Sequence, residues 1–214
     1  MPKQDFSHVG TWVFDLDNTL YSPHLRLFDQ IELRMTQFVM DELGVDHAEA
    51  DRLRVEYWRE HGTTLAGLMN VHGIAPEQYM INVHDIDMSV LTPDPELRAN
   101  ITALPGRKII FTNGSAPYAA RVAEARGLDG IFDAIYGVEH AGYIPKPGRA
   151  SFDAVFAADG LTPEAAAMFE DDPRNLAQPH EMGLRTVLVA PDPHDAIHIH
   201  HHTDDLSGFL ARLI

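Results

Sequence analysis

Asp15 and Asp17 stand two residues apart at the end of the apolar run Thr11-Trp12-Val13-Phe14. Side chains two apart on an extended strand share a side, so both carboxylates can enter one crevice where the strand ends. Acids that close repel each other unless one is protonated or a cation lies between them. A hard divalent ion with oxygen ligands, most simply Mg²⁺, relieves that conflict. A turn-forming or helix-capping Asp pair is the alternative that this segment alone leaves open.

Three further stretches carry comparable groups. Thr112, Asn113, Gly114 and Ser115 follow the run Lys108–Phe111 and precede a helical stretch. Their hydroxyls and backbone N–H groups suit an anionic oxygen at a helix start. Lys146 lies between Pro145 and Pro147 at the entrance to another helical stretch, where positive charge is misplaced unless an anion is near. Glu170-Asp171-Asp172 closes the run Ala167–Phe169, and three successive acids are costly without a cation. Taken singly, these have plain alternatives: a strand–turn–helix connection, a surface lysine and a solvated acidic turn.

The elements that must position these groups are legible as apolar runs separated by helical segments. Thr11–Phe14, Lys108–Phe111, a weaker Ala134–Tyr136, Ala167–Phe169 and Thr186–Val189 read as strands buried on both faces. Helices are expected over 116–126, 147–158 and 175–182, with a last one from Asp204 or Asp205 through Leu213. Strand alternating with helix predicts an α/β, doubly wound parallel core of the Rossmann-like type. Residues 21–91 contain no strand-like run and read as several helices. Ser22-Pro23 starts one with Phe28, Ile31, Met35, Phe38, Val39 and Leu43 at helical spacing. Asp46 with Glu49, then Thr63 or Thr64, then Pro76 start the others. The expected division is a core of 1–20 with 92–214 and an inserted helical cap of 21–91, hinged near 20–22 and 91–95. Such an insertion would lie over the C-terminal edge of the sheet, where α/β proteins bind ligands.

The chain has 214 residues, 45% hydrophobic and 22% charged, without cysteine. Disulfides, thiolate zinc sites and a cysteine nucleophile are excluded. The formal net charge of -16 repels nucleic-acid backbones, and no apolar run approaches the roughly 18 residues of a membrane span. Met1–Gly10 has no apolar leader segment. The expectation is a soluble cytoplasmic protein, monomer or homodimer, without nucleic-acid or membrane partners. A phosphorylated substrate would need a locally positive pocket. His194, His198, His200, His201 and His202 invite a zinc or nickel reading. Pro191 and Pro193 oppose a regular helix there, and a flexible surface loop is expected instead.

Asp15-Leu16-Asp17-Asn18-Thr19, then Thr112, then Lys146, then Asp171-Asp172 resemble the four ordered motifs of the haloacid dehalogenase (HAD) superfamily. The helical insert between the first two resembles that superfamily's cap. More narrowly, the opening through Leu20-Tyr21, the stretch Tyr57–Leu68, Phe111–Gly114 and Phe169–Leu176 resemble the pyrimidine 5′-nucleotidase branch. Pro173 departs from the small hydroxyl residue common there.

The resemblance implies a phosphomonoester hydrolase. Asp15 would be the nucleophile forming an aspartyl-phosphate, and Asp17 the acid and base. Thr112 and Lys146 would hold phosphoryl oxygens, with Asn113 and Gly114 adding contacts. Mg²⁺ would be held by the Asp15 carboxylate, the Asp17 carbonyl and Asp172, with Asp171 supporting the loop. Tyr57, Trp58, Arg59, His61, Thr63 and Thr64 would meet the leaving group, a small phosphorylated metabolite. A pyrimidine nucleoside 5′-monophosphate is the first expectation. A phosphoglycolate or sugar phosphatase, a phosphomutase and a ligand-binding scaffold are the alternatives. A dehalogenase ranks lower, because halide departs without needing the proton that Asp17 supplies.

Overall fold

A computed structural model of the chain describes residues 2–214. In chain order the elements are α1 (Pro2–Asp5), β1 (Thr11–Phe14), α2 (Leu27–Leu43), α3 (His47–His61), α4 (Thr64–His72), α5 (Pro76–Val83), α6 (Pro95–Ala103), β2 (Arg107–Phe111), α7 (Ala116–Ala125), β3 (Ala134–Tyr136), α8 (Arg149–Asp159), β4 (Ala166–Glu170), α9 (Ala177–Met182), β5 (Arg185–Val189), β6 (His201–Thr203) and α10 (Leu206–Ala211). The strands form one sheet in the order β3-β2-β1-β4-β5-β6, and every pair is parallel.

Apolar residues on successive positions of a strand serve opposite faces, so a run without alternation needs cover on both sides. The two hydrophobic clusters divide the strands in this way. Trp12, Phe14, Ile110, Ala167 and Phe169 face one layer, which includes Leu97, Ile101, Tyr118, Val122 and Phe209. Val13, Ile109, Phe111, Ala166 and Met168 face the other, with Phe152, Val155, Phe156 and Leu184. The chain leaves β1 toward β2 and β3, then returns to the other side of β1 for β4, β5 and β6. The reversal therefore lies between β1 and β4, and ligand crevices open at such points, outside the carboxyl ends of the strands.

Residues 21–91 contain α2, α3, α4 and α5 and no strand. The capping residues named from sequence act as such: Asp46 accepts from Glu49 N, and Thr63 accepts from Ala66 N. Gly44 and Gly73 end α2 and α4 with φ of 64° and 67°, a left-handed conformation that glycine adopts without steric cost. The first turn after Ser22 is 3₁₀ (Pro23–Leu25), and α2 proper starts at Leu27. Arg126 ties both crossings together. Its guanidinium donates to the carbonyls of Leu20 and Thr92 and to the Asp94 carboxylate.

α1, α6 and β6 depart from the sequence reading. α6 is an additional helix, capped by Asp94. The histidine-rich stretch is a loop through His200, with His194 exposed, and only His201–Thr203 pairs with Val187–Val189 as edge strand β6. The Thr186 hydroxyl donates to the His198 carbonyl, and the His198 ring bonds the Pro173 carbonyl. The His202 ring likewise bonds the Ala190 carbonyl, and His200 Nδ1 accepts from Thr186 N. The only cluster of potential metal ligands among the described residues lies elsewhere. No helix among them is long and apolar enough to cross a membrane.

Candidate active site

Asp15 follows β1 directly, and its N–H donates to the Phe169 carbonyl, which holds the turn against β4. Its side chain is buried. Lys146, itself buried, reaches it from the loop before α8, with Nζ 2.7 Å from Asp15 Oδ1. The same ammonium lies 2.5 Å from Glu170 Oε2 and 3.0 Å from the Phe111 carbonyl. All three of its N–H bonds have partners. Burial pulls the Lys146 pKa down, but the Asp15 and Glu170 carboxylates outweigh it and the net shift is upward. Asn113 explains how the lysine is aimed. Its amide donates to the Lys146 carbonyl, and its oxygen accepts the Lys146 N–H. The Thr112 hydroxyl accepts from Gly114 N at 2.9 Å, which closes the turn after β2.

Asp15, Glu170 and Asp171 each bring a carboxylate oxygen within 4.8 Å of the others. Burial pushes the Asp15 pKa up to about 7, reinforced by the Glu170 charge and opposed by Lys146. Asp171 is also raised, by burial and then by Glu170 and Asp15. Three carboxylates facing one ammonium are short of positive charge. An all-oxygen donor set of this kind fits a hard divalent cation. Asn18, with φ of 60°, donates to Asp171 Oδ2 at 3.2 Å. Asparagine tolerates that left-handed backbone better than most residues.

Asp172 does not join this cluster, contrary to the ligand set expected from sequence. Its carboxylate receives the Arg174 guanidinium, with Nη2 2.6 Å from Oδ2, and also the Arg174 N–H. It thereby caps the 3₁₀ turn Pro173–Leu176. The Arg174 guanidinium lies 3.7 Å from the centre of the Trp58 ring, joining this turn to α3 by a cation–π contact. Asp171, expected to support the loop, is the member of the pair that meets Asp15.

The Asp17 carboxylate stands apart from the trio. Its Oδ1 accepts from the Tyr21 and Tyr118 hydroxyls, each at 2.6 Å. Burial raises its pKa, and the two hydroxyls pull it partly back. Tyr118 in turn stacks on His84, with ring centres 4.2 Å apart and planes 5° apart.

A cavity of ≈ 360 Å³ opens between the sheet edge and the inserted helices. Asp17, Asn113, Gly114, Asp172 and Asn175 line its core side, and Phe28, Ile31, Met35, Trp58, Thr63 and Met80 line its cap side. Of the cap residues expected to face a leaving group, Thr63 and Thr64 line it, as does Trp58. Tyr57 does not. It is buried between α3 and α4, and its hydroxyl bonds His72 Nε2 at 2.6 Å. Its ring fills the space above Gly67, where a Cβ would collide with it. His61 packs on the Tyr57 ring, and Arg59 is exposed in a separate shallow depression on the outside of α3. The residues that sequence reasoning missed are Glu170 as a member of the acidic trio, Tyr21 and Tyr118 on Asp17, and His84. Only Glu170 carried a signal, as the first of three consecutive acids.

A model of the haloacid dehalogenase-like hydrolase family matches residues 9–178. Phosphate metabolism protein 8 of Saccharomyces cerevisiae is 29% identical over 191 residues, covering 82% of this chain. The match spans 60% of that curated relative's length. Among solved structures, CbbY from Rhodobacter sphaeroides in complex with phosphate has a TM-score of 0.65 at 17% identity, with 93% of this chain and 95% of that chain covered. HAD-hydrolase YfnB from Bacillus subtilis, bound to magnesium, has a TM-score of 0.60 at 17% identity, with 96% and 98% covered. Four motifs in order, a sheet reversing beside Asp15 and a family match over most of the chain lead to one assignment: the chain belongs to the haloacid dehalogenase-like hydrolase family.

Proposed function

We propose that the chain hydrolyses small phosphomonoesters through an aspartyl-phosphate on Asp15, with Mg²⁺ as cofactor and a pyrimidine nucleoside 5′-monophosphate as the preferred substrate. The observation that carries the reading is the convergence on Asp15 of one buried lysine and two further carboxylates, with Asp17 on a separate set of donors. Asp15, Glu170 and Asp171 would hold the divalent ion. When bound, the ion supplies positive charge that lets these carboxylates ionise beside an anionic ester.

The Asp15 carboxylate attacks phosphorus, and the ester P–O bond breaks with its electron pair on the leaving oxygen. Asp17 gives that oxygen a proton and becomes a carboxylate. It then takes a proton from water, whose oxygen attacks phosphorus and frees Asp15 with release of phosphate. Lys146 and the Thr112–Gly114 turn face the phosphoryl oxygens as their charge redistributes. Each Lys146 N–H already has a protein partner, so the lysine exchanges one of them for a phosphoryl oxygen on binding.

The cavity supports a leaving group with an apolar or aromatic face. Phe28, Ile31, Met35 and Met80 give the cap wall an apolar face for a base, and Glu32, Arg54, Thr63 and Thr64 beside them offer partners to its polar groups.

The test is phosphate release from UMP, CMP, purine monophosphates, hexose phosphates and phosphoglycolate, with EDTA and with added Mg²⁺. UMP and CMP are expected to lead, activity to vanish with EDTA and return with Mg²⁺, and Asp15→Asn to cost at least about a thousandfold in kcat. Hexose phosphates ahead of UMP would remove the nucleotide reading and leave the phosphatase. Unchanged turnover in Asp15→Asn would remove the mechanism.

A further inference from the structure

Asp17 is held by a device that the four motifs do not account for. Tyr21 follows β1 at the first crossing into the inserted helices, and Tyr118 lies on α7, 101 residues further from Asp17 along the chain. Both rings are buried. Their hydroxyls converge on the same oxygen, Oδ1, at 2.6 Å each. Phenols are protonated near neutral pH, so both donate, and the two lone pairs of Oδ1 are taken. Among the described residues none donates to Oδ2, and Asp17 lines the cavity. The Tyr118 ring is itself fixed, with His84 from the end of α5 stacked on it and bonded through Nδ1 to the Ser115 hydroxyl at 3.2 Å.

We infer that Tyr21 and Tyr118 are positioning residues that assign the proton of Asp17 to Oδ2 and hold that oxygen toward the leaving group. This rests on the reading of Asp17 as the acid and base. As the ester P–O bond breaks, the Oδ2–H bond breaks too and its proton passes to the leaving oxygen. The charge left on the carboxylate is shared with Oδ1, where two hydroxyls stabilise it. In the second half of the reaction Oδ2 takes a proton from water. A carboxyl free to rotate would spend part of its time with the proton turned away from the ester. A misaligned acid loses rate where the leaving group needs a proton, and little where it does not.

That difference separates positioning from a structural role. The ratio kcat/KM covers events up to phosphorylation of Asp15, and it is to be measured for p-nitrophenyl phosphate, for a simple alkyl phosphate and for UMP. p-Nitrophenolate leaves as a stable anion, whereas the other two leave as alkoxides. Tyr118→Phe and Tyr21→Phe remove one hydroxyl each and keep the ring, and thermal melting reports whether each variant is folded. For each, kcat/KM is expected to fall about tenfold or more with the alkyl phosphate and UMP, and to stay within about twofold with p-nitrophenyl phosphate. Asp17→Asn is expected to show the same selectivity more strongly. If either folded tyrosine variant loses activity equally on all three esters, or loses none while Asp17→Asn remains selective, the positioning role is overturned and the acid–base reading survives. If Asp17→Asn is itself not selective, the acid–base reading fails and takes this inference with it. Should Tyr118→Phe not fold, Tyr21→Phe decides the matter alone.

Discussion

Glu170, Asp171 and Asp172 are adjacent in the chain, yet each has its own partner. Lys146 takes Glu170, Asn18 takes Asp171 and Arg174 takes Asp172. Only Asp171 is left without a cationic group, and it lies with Asp15 and Glu170 where the shortage of positive charge is greatest. Burial and the neighbouring carboxylates hold Asp15 at about 7, above its ordinary 3.8. Between those values the folded metal-free protein binds more protons than the unfolded chain, so its stability falls as pH rises. The penalty is absent below about 4 and complete above about 7. A divalent ion at the trio binds the ionised form and cancels it. The stabilisation by Mg²⁺, read as the difference in Tm with Mg²⁺ and with EDTA, is therefore expected to be small near pH 4.5 and to grow until about pH 7.5. A difference that does not change with pH would mean the ion binds elsewhere.

At the scale of elements, His84 is where α5 of the inserted helices meets α7 of the core. Burial, then the nearby Arg121 charge, brings its pKa down to about 4 from 6.5. It is neutral when folded and charges on unfolding throughout that window. Its effect on stability is thus opposite in sign to that of Asp15, because stability is complete above about 6.5 and is lost as pH falls through 4. His84→Phe keeps an aromatic face for Tyr118 and cannot charge. With saturating Mg²⁺ it is expected to lose less Tm than the parent between pH 6.5 and 4.5. An unchanged pH slope would show that His84 does not stay neutral. His200 is also brought down to about 4, so only part of the slope should go. Elements whose signal is local were legible in the sequence: five apolar runs became β1, β2, β3, β4 and β5, and Asp46, Thr63 and Ser115 cap the starts of helices. β6 was not, because an edge strand of two histidines and a threonine has no apolar pattern and exists through pairing with β5. The order of the motifs indicated the crevice but not which acid faces it, since the turn after β4 sends Asp171 inward and Asp172 to Arg174. In α3 the motif likeness did not tell which side chains face the cavity. Val55, Trp58 and Gly62 recur at three-to-four spacing along the cavity, while Tyr57 and His61 share the face toward α4. No local pattern links Tyr118 to Asp17, because only the folded sheet brings them together.

Over the whole molecule the formal charge is -16, and many of the cations already face acids. Arg54, Arg107, Arg126 and Arg174 are each paired with a carboxylate. A dianionic phosphomonoester is therefore attracted only by the centre itself, while the rest of the surface opposes its approach. The two fields differ in range and in screening. The repulsion arises from charges spread over the solvent-exposed surface, and the Debye length shrinks from about 30 Å at 0.01 M salt to about 8 Å at 0.15 M. The attraction comes from the buried Lys146 and from the divalent ion that the acidic trio would hold, where salt penetrates little. Raising NaCl across that range at saturating Mg²⁺ should therefore lower KM for UMP and leave kcat unchanged, the reverse of what a basic phosphatase surface would give. An ester whose leaving group carries a positive charge, such as phosphocholine, has less net charge to be repelled and should respond less. A KM for UMP that rises with salt would mean that a positive surface field reaches the substrate before the buried centre does, and the separation of a repelling exterior from an attracting interior would have to be abandoned.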